Sequence, residues 1–253
     1  MPADKPSSAS LLNAAATALY ALAAFAVLGA AAWSVLHQPA FALREVRVVN
    51  ALEHVGREEL EAVARRAVRG NFFTLDLEAA RAAFEALPWV RQARVWRRWP
   101  GRIEVALEEH VPLARWWARA LVNTHGELFQ ATYAGELPLF RGAEGTAREI
   151  AIQYRYFRRS LEPIGRVPVE VALSPRRAWR LVLDGGLTLE LGREDVETRL
   201  ARFVAAYGRT LARLELSFDS VDLRYPNGFA VRVVGGHEQP HGGQRDRGRA
   251  QRG

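Results

Sequence analysis

The chain has 253 residues, 49% hydrophobic and 25% charged, which is enough for one large or two small globular domains. It contains no cysteine, so disulfides, thiolate nucleophiles and Cys-ligated metal are excluded together. The net charge of +7 invites a nucleic-acid partner, but Lys5 is the only lysine and many arginines lie within four residues of a Glu, as Arg65 does with Glu61. Such arginines read as solvated helix faces, and no nucleic-acid partner is expected.

Residues 1–10 form a short tail. From Leu11 to Leu36 no side chain is charged. At 1.5 Å per residue this stretch makes a helix of roughly 39 Å, against a hydrocarbon core of about 30 Å. A buried helix and a cleaved signal peptide, with Ala40-Phe41-Ala42 as its cleavage site, compete with a membrane span. A signal h-region runs to only about 7 to 15 residues, so the expectation is a retained transmembrane helix over 11–36. Leu11, Leu12, Leu19, Leu22, Phe25, Val27, Leu28, Val35 and Leu36 supply its apolar drive, and Trp33 sits where an aromatic belt belongs. Lys5 and the terminal amine oppose Asp4 on one side, with Arg44 and Arg47 on the other, so the charge count does not orient it.

After a break at His37 to Ala40, Val46 and Val48 alternate with Glu45 and Arg47 as a strand. Leu60, Val63, Ala64, Ala67 and Val68 recur at helix spacing, with Glu58 and Glu59 at the start, Arg65, Arg66 and Arg69 at the end, and Gly70 where a C-terminal cap belongs. Asp76 is the expected N-cap of a second helix carrying Leu77, Ala80, Phe84 and Leu87 on one face, ended by Pro88. Ala93 and Val95 mark a strand, Trp99-Pro100-Gly101 a turn, and Ile103, Val105 and Leu107 the return strand. The order is β-α-α-β-β over 41–111.

In the second domain, 112–234, Trp179, Leu181 and Leu183 alternate up to the turn Asp184-Gly185-Gly186, and Leu187, Leu189 and Leu191 return. Glu194 and Asp195 open a helix with Val196, Leu200, Phe203, Val204 and Tyr207 on one face. Val221, Leu223 and Tyr225, the turn Pro226-Asn227-Gly228, and Phe229, Val231 and Val233 form a closing hairpin. Both domains are expected to be α+β with antiparallel sheets, the second a mixed α/β domain whose sheet is antiparallel-rich. Residues 235–253, rich in Gly and Arg without apolar period, are expected to be a disordered tail.

No catalytic constellation stands out, and no enzyme, cofactor or metal is expected. Of His37, His54, His110, His125, His237 and His241, only the last two have helical ligand spacing, and they fall in the Gly-rich tail. Glu108 and Glu109 point to opposite faces of a strand and cannot share a substrate. The positive alternative is binding by a sheet edge: a last strand at about Gly228 to Val233 presents backbone groups to an extended partner. The competing reading is that the tail or another strand covers that edge.

The segments Leu87-Pro88-Trp89-Val90, Arg98-Trp99-Pro100 and Glu108 to Trp116 resemble the POTRA domain of the bacterial cell-division family FtsQ/DivIB. Val122 to Phe129, Arg176 to Leu181, Leu191-Gly192-Arg193, Arg199 to Phe203 and Val221 to Tyr225 resemble that family's second domain, in the family order. The resemblance implies a single-pass inner-membrane protein with a cytoplasmic N-terminus and a periplasmic bulk. It implies a non-enzymatic scaffold of the divisome that recruits FtsB and FtsL during septum formation, a segment of FtsB adding to the terminal edge. Tyr225 would anchor that segment, Arg177 would pair with an acidic residue of FtsB, and Arg224, Asn227, Gly228, Phe229, Val231 and Val233 would line the contact. Some members have Trp where this chain has Val233, and Phe229 is expected to compensate. Arg81, Arg91 and Arg94 would be exposed on a POTRA surface for upstream division proteins such as FtsK, where a solvated face is the competing reading. A POTRA chaperone of outer-membrane protein assembly or secretion is the alternative function. It is disfavoured by the lack of alternating ten-residue strands after residue 112.

Overall fold

The computed structural model describes residues 8–36, 42–207, 218–225 and 228–233. The expected tail at 235–253 and the turn residues Pro226 and Asn227 lie outside them. Helix α1 (Ser8–Leu36) runs for 29 residues, about 44 Å at the standard rise. Leu19, Tyr20, Leu22, Phe25, Val27, Leu28 and Trp33 on it are all exposed. The unbroken run of described side chains in α1 is 15–31. Among the described residues no helix is long and apolar enough to cross a membrane.

The chain divides into two compact units at His110 and Val111. The first carries β1 (Glu45–Val48), α2 (Arg57–Ala67), α3 (Leu77–Glu85), β2 (Val90–Arg98) and β3 (Arg102–Glu109), the β-α-α-β-β order read from the sequence. Strand β3 is central, parallel to β1 with Val46 opposite Ile103, and antiparallel to β2 with Ala93 opposite Leu107. The expectation of a purely antiparallel sheet is therefore corrected. The two helices between β1 and β2 let the chain cross over and lay its first strand parallel to its last.

Residues directly opposite share a face, so Val46, Val48, Ala93, Ile103, Val105 and Leu107 point one way, toward Phe84 and the partly buried Leu60 and Val63. Asp76 caps α3 as expected, its Oδ1 accepting from the N–H of Glu78 and Ala79 at 2.9 and 3.0 Å. Gly70 is not the cap of α2. That helix closes at Val68, whose N–H donates to the Ala64 carbonyl, and Gly70 takes its φ of +105° in the turn beyond.

The second unit holds β4 (Pro112–Trp116), β5 (Ala120–Asn123), β6 (Leu128–Phe129), β7 (Leu139–Arg141), α4 (Ala147–Leu161), β8 (Pro168–Leu173), β9 (Trp179–Leu183), β10 (Thr188–Gly192), α5 (Val196–Tyr207), β11 (Phe218–Asp222) and β12 (Ala230–Val233). They form one nine-stranded sheet in the order β12-β11-β10-β9-β8-β7-β4-β5-β6. This sheet is mixed and antiparallel-rich, as expected for the second domain: β4 with β7, β7 with β8, and β10 with β11 are parallel, the other pairs antiparallel.

The sequence reading passed over α4, although Ile150, Tyr154, Phe157 and Leu161 recur at helical spacing and are all buried. This helix is the crossover that makes β7 and β8 parallel. With α5 it covers the core of Phe140, Phe157, Leu181, Leu183, Leu189, Leu191, Leu200 and Phe203.

Removing a fully buried ring leaves a cavity that the sheet cannot close. Phe157→Ala is expected to destabilise the second unit by about 3–5 kcal/mol, whereas Asp76→Ala should cost the first about 1 kcal/mol. Chemical denaturation followed by tryptophan fluorescence measures both.

Candidate functional site

The last described strand of the second unit has one neighbour among the described residues. β12 pairs antiparallel with β11, setting Ala230 opposite Asp222, Val231 opposite Val221 and Arg232 opposite Ser220. Among the described residues no strand pairs with its other side. A strand paired on one side directs the N–H and C=O groups of alternate residues outward, where another extended chain can bond them. The opposite edge, β6, has only two residues.

Three local features shape this edge. First, β11 stops at Asp222, because the Asp222 Oδ1 accepts from the N–H of Arg224 at 3.0 Å and turns the chain. Leu223 still donates its N–H to the Glu190 carbonyl at 2.9 Å, but Tyr225 leaves the strand. The expected alternation through Tyr225 is thus corrected: the residue lies beyond the end of β11 and is 55% exposed, and its carbonyl accepts from Arg202 Nη1 at 3.5 Å. Second, Phe229 and Val231 are half-buried and pack against the core, so the apolar layer reaches the outermost strand. Third, Gly228 and Phe229 precede β12, which begins at Ala230 rather than Gly228. Asn227 lies outside the described residues, as does the side chain of Val233, whose backbone pairs with Phe218.

Arg224 is fixed within the chain. Its guanidinium donates to Asp222 from Nε at 2.8 and 3.1 Å and from Nη2 at 2.5 Å. These bonds hold the Asp222 carboxyl below its ordinary 3.8, against the opposing effect of burial, and raise the Arg224 guanidinium in turn. Arg177 is occupied too. In the β8–β9 turn at φ +65°, it donates to Glu149 of α4 from Nη1 and Nη2 at 2.8 and 2.5 Å. Trp179, Gly192 and Leu223 fall at one end of the sheet by their registers. Arg177, before β9, and Tyr225, after β11, are therefore at the same end, with β10 between those strands.

In the first unit, β2 is an edge strand of nine residues. The Ala93 N–H donates to Glu85 Oε1 of α3 at 3.1 Å, and Arg97 donates to the carbonyls of Phe72 and Leu75 at 2.6 Å. The three arginines singled out there differ. Arg94 is exposed on the outer sheet face, Arg91 is partly buried and paired with Glu108 at 2.9 Å, and Arg81 belongs to the helical layer, bridging Glu78 and Glu85 at 2.8 and 3.5 Å.

Glu109 ends β3 by accepting the N–H groups of Glu53, His54 and Val55 at 2.8, 3.0 and 2.8 Å. Although burial opposes it, this set holds the carboxyl below its ordinary range. The two glutamates separate as expected, each to its own structural partner.

Two grooves of about 600 and 570 Å³ indent the second unit. The first is lined by Arg115, Tyr154 and Val169 among others, the second by Trp116, Trp117 and Leu128, and each has a single carboxylate, Glu136 and Glu144 respectively. Among the described residues no group of three metal-ligating side chains occurs.

A β-α-α-β-β unit followed by a mixed sheet whose last strand has one neighbour among the described residues defines a two-domain chain with a first domain of POTRA type. Residues 41–110 match the POTRA domain, FtsQ-type, and residues 114–224 match the C-terminal domain of cell division protein FtsQ/DivIB. Cell division protein FtsQ of Burkholderia pseudomallei is 45% identical over 231 residues, covering 88% of this chain and 92% of the relative. That of Nitrosospira multiformis is 45% identical over 226 residues, covering 87% and 96%, and that of Coxiella burnetii 30% over 200 residues, covering 78% and 82%. The chain belongs to the FtsQ family of bacterial cell-division proteins. The matched C-terminal segment closes at Arg224, so β12 lies just beyond it.

The Asp222 clamp gives a pH test. Its carboxyl is depressed on folding, so its stabilisation is complete above the unfolded value and is lost as pH falls through the folded one. Asp222→Asn should therefore be less stable than the parent at pH 7, by no more than about 1 kcal/mol for so exposed a pair. The two stability curves should converge well below pH 3.8 in denaturation measured across pH.

Proposed function

We propose that this protein is a membrane-anchored, non-enzymatic scaffold of the divisome that recruits FtsB and FtsL by accepting a strand of FtsB at β12. The observation that carries this reading is the four-residue strand β12, unpaired on one side among the described residues, with the half-buried Phe229 and Val231 along it and the exposed Tyr225 in the preceding turn. Main-chain bonds along such an edge supply affinity, and the pockets beside it supply specificity. Tyr225 offers a large amphipathic ring at the mouth of the site. An acidic residue of the partner would reach Arg177 by displacing Glu149, and Arg224, held by Asp222, would flank the entering strand.

On this reading helix α1 anchors the chain in the inner membrane as a single pass, with residues 1–10 cytoplasmic and the two domains, 41–111 and 112–234, periplasmic. The uncharged run from Leu11 to Leu36 and the exposed Leu, Phe and Val side chains on it support that assignment. Confinement to one membrane raises the effective concentration of partners that are anchored there too. On the POTRA unit, the β2 edge with Arg94 on one side and Arg81 on the other is proposed to contact upstream division proteins such as FtsK. A hydrolytic role is disfavoured because each of the two grooves carries only one carboxylate.

The full chain in lipid nanodiscs, titrated with the periplasmic FtsB–FtsL pair of the same organism, tests the reading. Tyr225→Ala and Val231→Pro should each weaken binding at least about tenfold, or about 1.4 kcal/mol. Binding untouched by both changes would move the site away from β12, and absence of binding by the parent chain would refute the partner.

A further inference from the structure

The cross-strand registers of the second unit divide its side chains into two faces. Leu181, Leu189, Val221 and Val231 stand opposite one another and face the core. The rows on either side of them face away from it: Arg180, Glu190, Asp222 and Ala230 in one, Val182, Thr188, Ser220 and Arg232 in the other. Among the described residues most charges on this outer face are paired, while Arg115, opposite Leu139, donates instead to the carbonyls of Tyr133 and Gly135. Arg141 meets Glu170 at 3.0 Å, Arg180 meets Glu190 at 2.6 Å, and Arg224 clamps Asp222. Arg232 breaks the pattern. It is exposed on the outermost strand, its direct neighbour is the uncharged Ser220, and its diagonal neighbour Asp222 is already held through both oxygens by Arg224. Among the described residues Arg232 has no ion-pair partner.

Building on strand addition at β12, we propose that Arg232 selects the partner strand by pairing with an acidic side chain directly opposite it, so completing the charge ladder across the new edge. A residue added opposite Arg232 would have its Cβ about 4.5–5.5 Å away, within ion-pair reach, and opposite charges so placed stabilise a sheet whereas like charges destabilise it. The same alternation fixes the rest of the pattern. The partner residue beside the acid faces Val231 and continues the apolar core row. The next faces Ala230, whose small side chain leaves room for a large one. The strand that fits is therefore acidic, apolar, large in successive positions, read from Arg232 back to Ala230. A basic residue opposite Arg232 would set two cations against each other, which excludes wrong partners and wrong registers together.

The test uses the full chain in nanodiscs and the periplasmic FtsB–FtsL pair as probe, with Arg232→Glu, Arg232→Gln and Val231→Pro. Arg232→Glu should weaken binding about tenfold or more and Arg232→Gln by about threefold, the charge reversal exceeding the neutral change. Binding of the Arg232→Gln variant should also depend less on salt than that of the parent. Replacing one acidic residue of the added strand by Lys should restore affinity to the Arg232→Glu chain and weaken it for the parent. Circular dichroism confirms that each variant is folded. Loss of binding in Val231→Pro with Arg232→Glu unaffected would keep strand addition and overturn the ion pair. Equal losses in the Glu and Gln variants, or failure of every acidic-to-Lys exchange to restore binding, would overturn it as well. Binding that survives both Val231→Pro and Arg232→Glu would overturn strand addition itself.

Discussion

In the larger unit, one cross-strand row of apolar side chains sets the rest: Phe140, Val171, Leu181, Leu189, Val221 and Val231, each directly opposite the next over six strands. All but the last are fully buried. Because side chains alternate with a period of two, a one-residue slip anywhere along this row would turn apolar groups to water and charged ones to the core. The row therefore fixes register from β7 to β12 at once. It also forces α4 and α5 onto a single face, where Ile150, Phe157, Leu200 and Phe203 close the layer.

The functional reading follows from where that row stops. At Val231 the apolar layer is half covered and the sheet has no further strand among the described residues, so the driving force that aligned six strands is still available to a seventh. Affinity at such an edge comes from main-chain bonds that any extended chain can make, which is weak discrimination by itself. Side chains must supply the rest. Tyr225 has been turned out of the sheet by the Asp222 clamp, and Arg232 is an exposed cation with no ion-pair partner among the described residues. On the proposed reading the sheet offers a general adhesive line with specific groups at its margins.

Much of this was legible in the residues. The period-two alternations at 179–183, 187–191 and 221–233 placed the strands that bear the site, and Asp76, Pro88 and the Gly185-Gly186 turn punctuated the elements as local chemistry demands. Strand direction was not legible. Whether β1 lies parallel to β3, or β10 to β11, depends on helices that cross over between them, and α4 was hidden by the arginines interleaved with Ile150, Tyr154 and Phe157. The departure of Tyr225 from the strand was missed because alternation counts side chains only, whereas the turn is made by the Asp222 carboxylate and the Arg224 N–H. The internal partner of Arg177, Glu149, lies 28 residues away in sequence, and only the fold brings the two together.

The central claim is that β12 accepts a strand on its free side. Amide hydrogen exchange of the full chain in nanodiscs, with and without the periplasmic FtsB–FtsL pair, addresses it directly. Added protection should appear within residues 228–233, at alternate amides whose N–H groups point away from β11, while β9 and β10, already paired on both sides, stay unchanged. Partner binding that leaves those amides exchanging as freely as before would contradict the account.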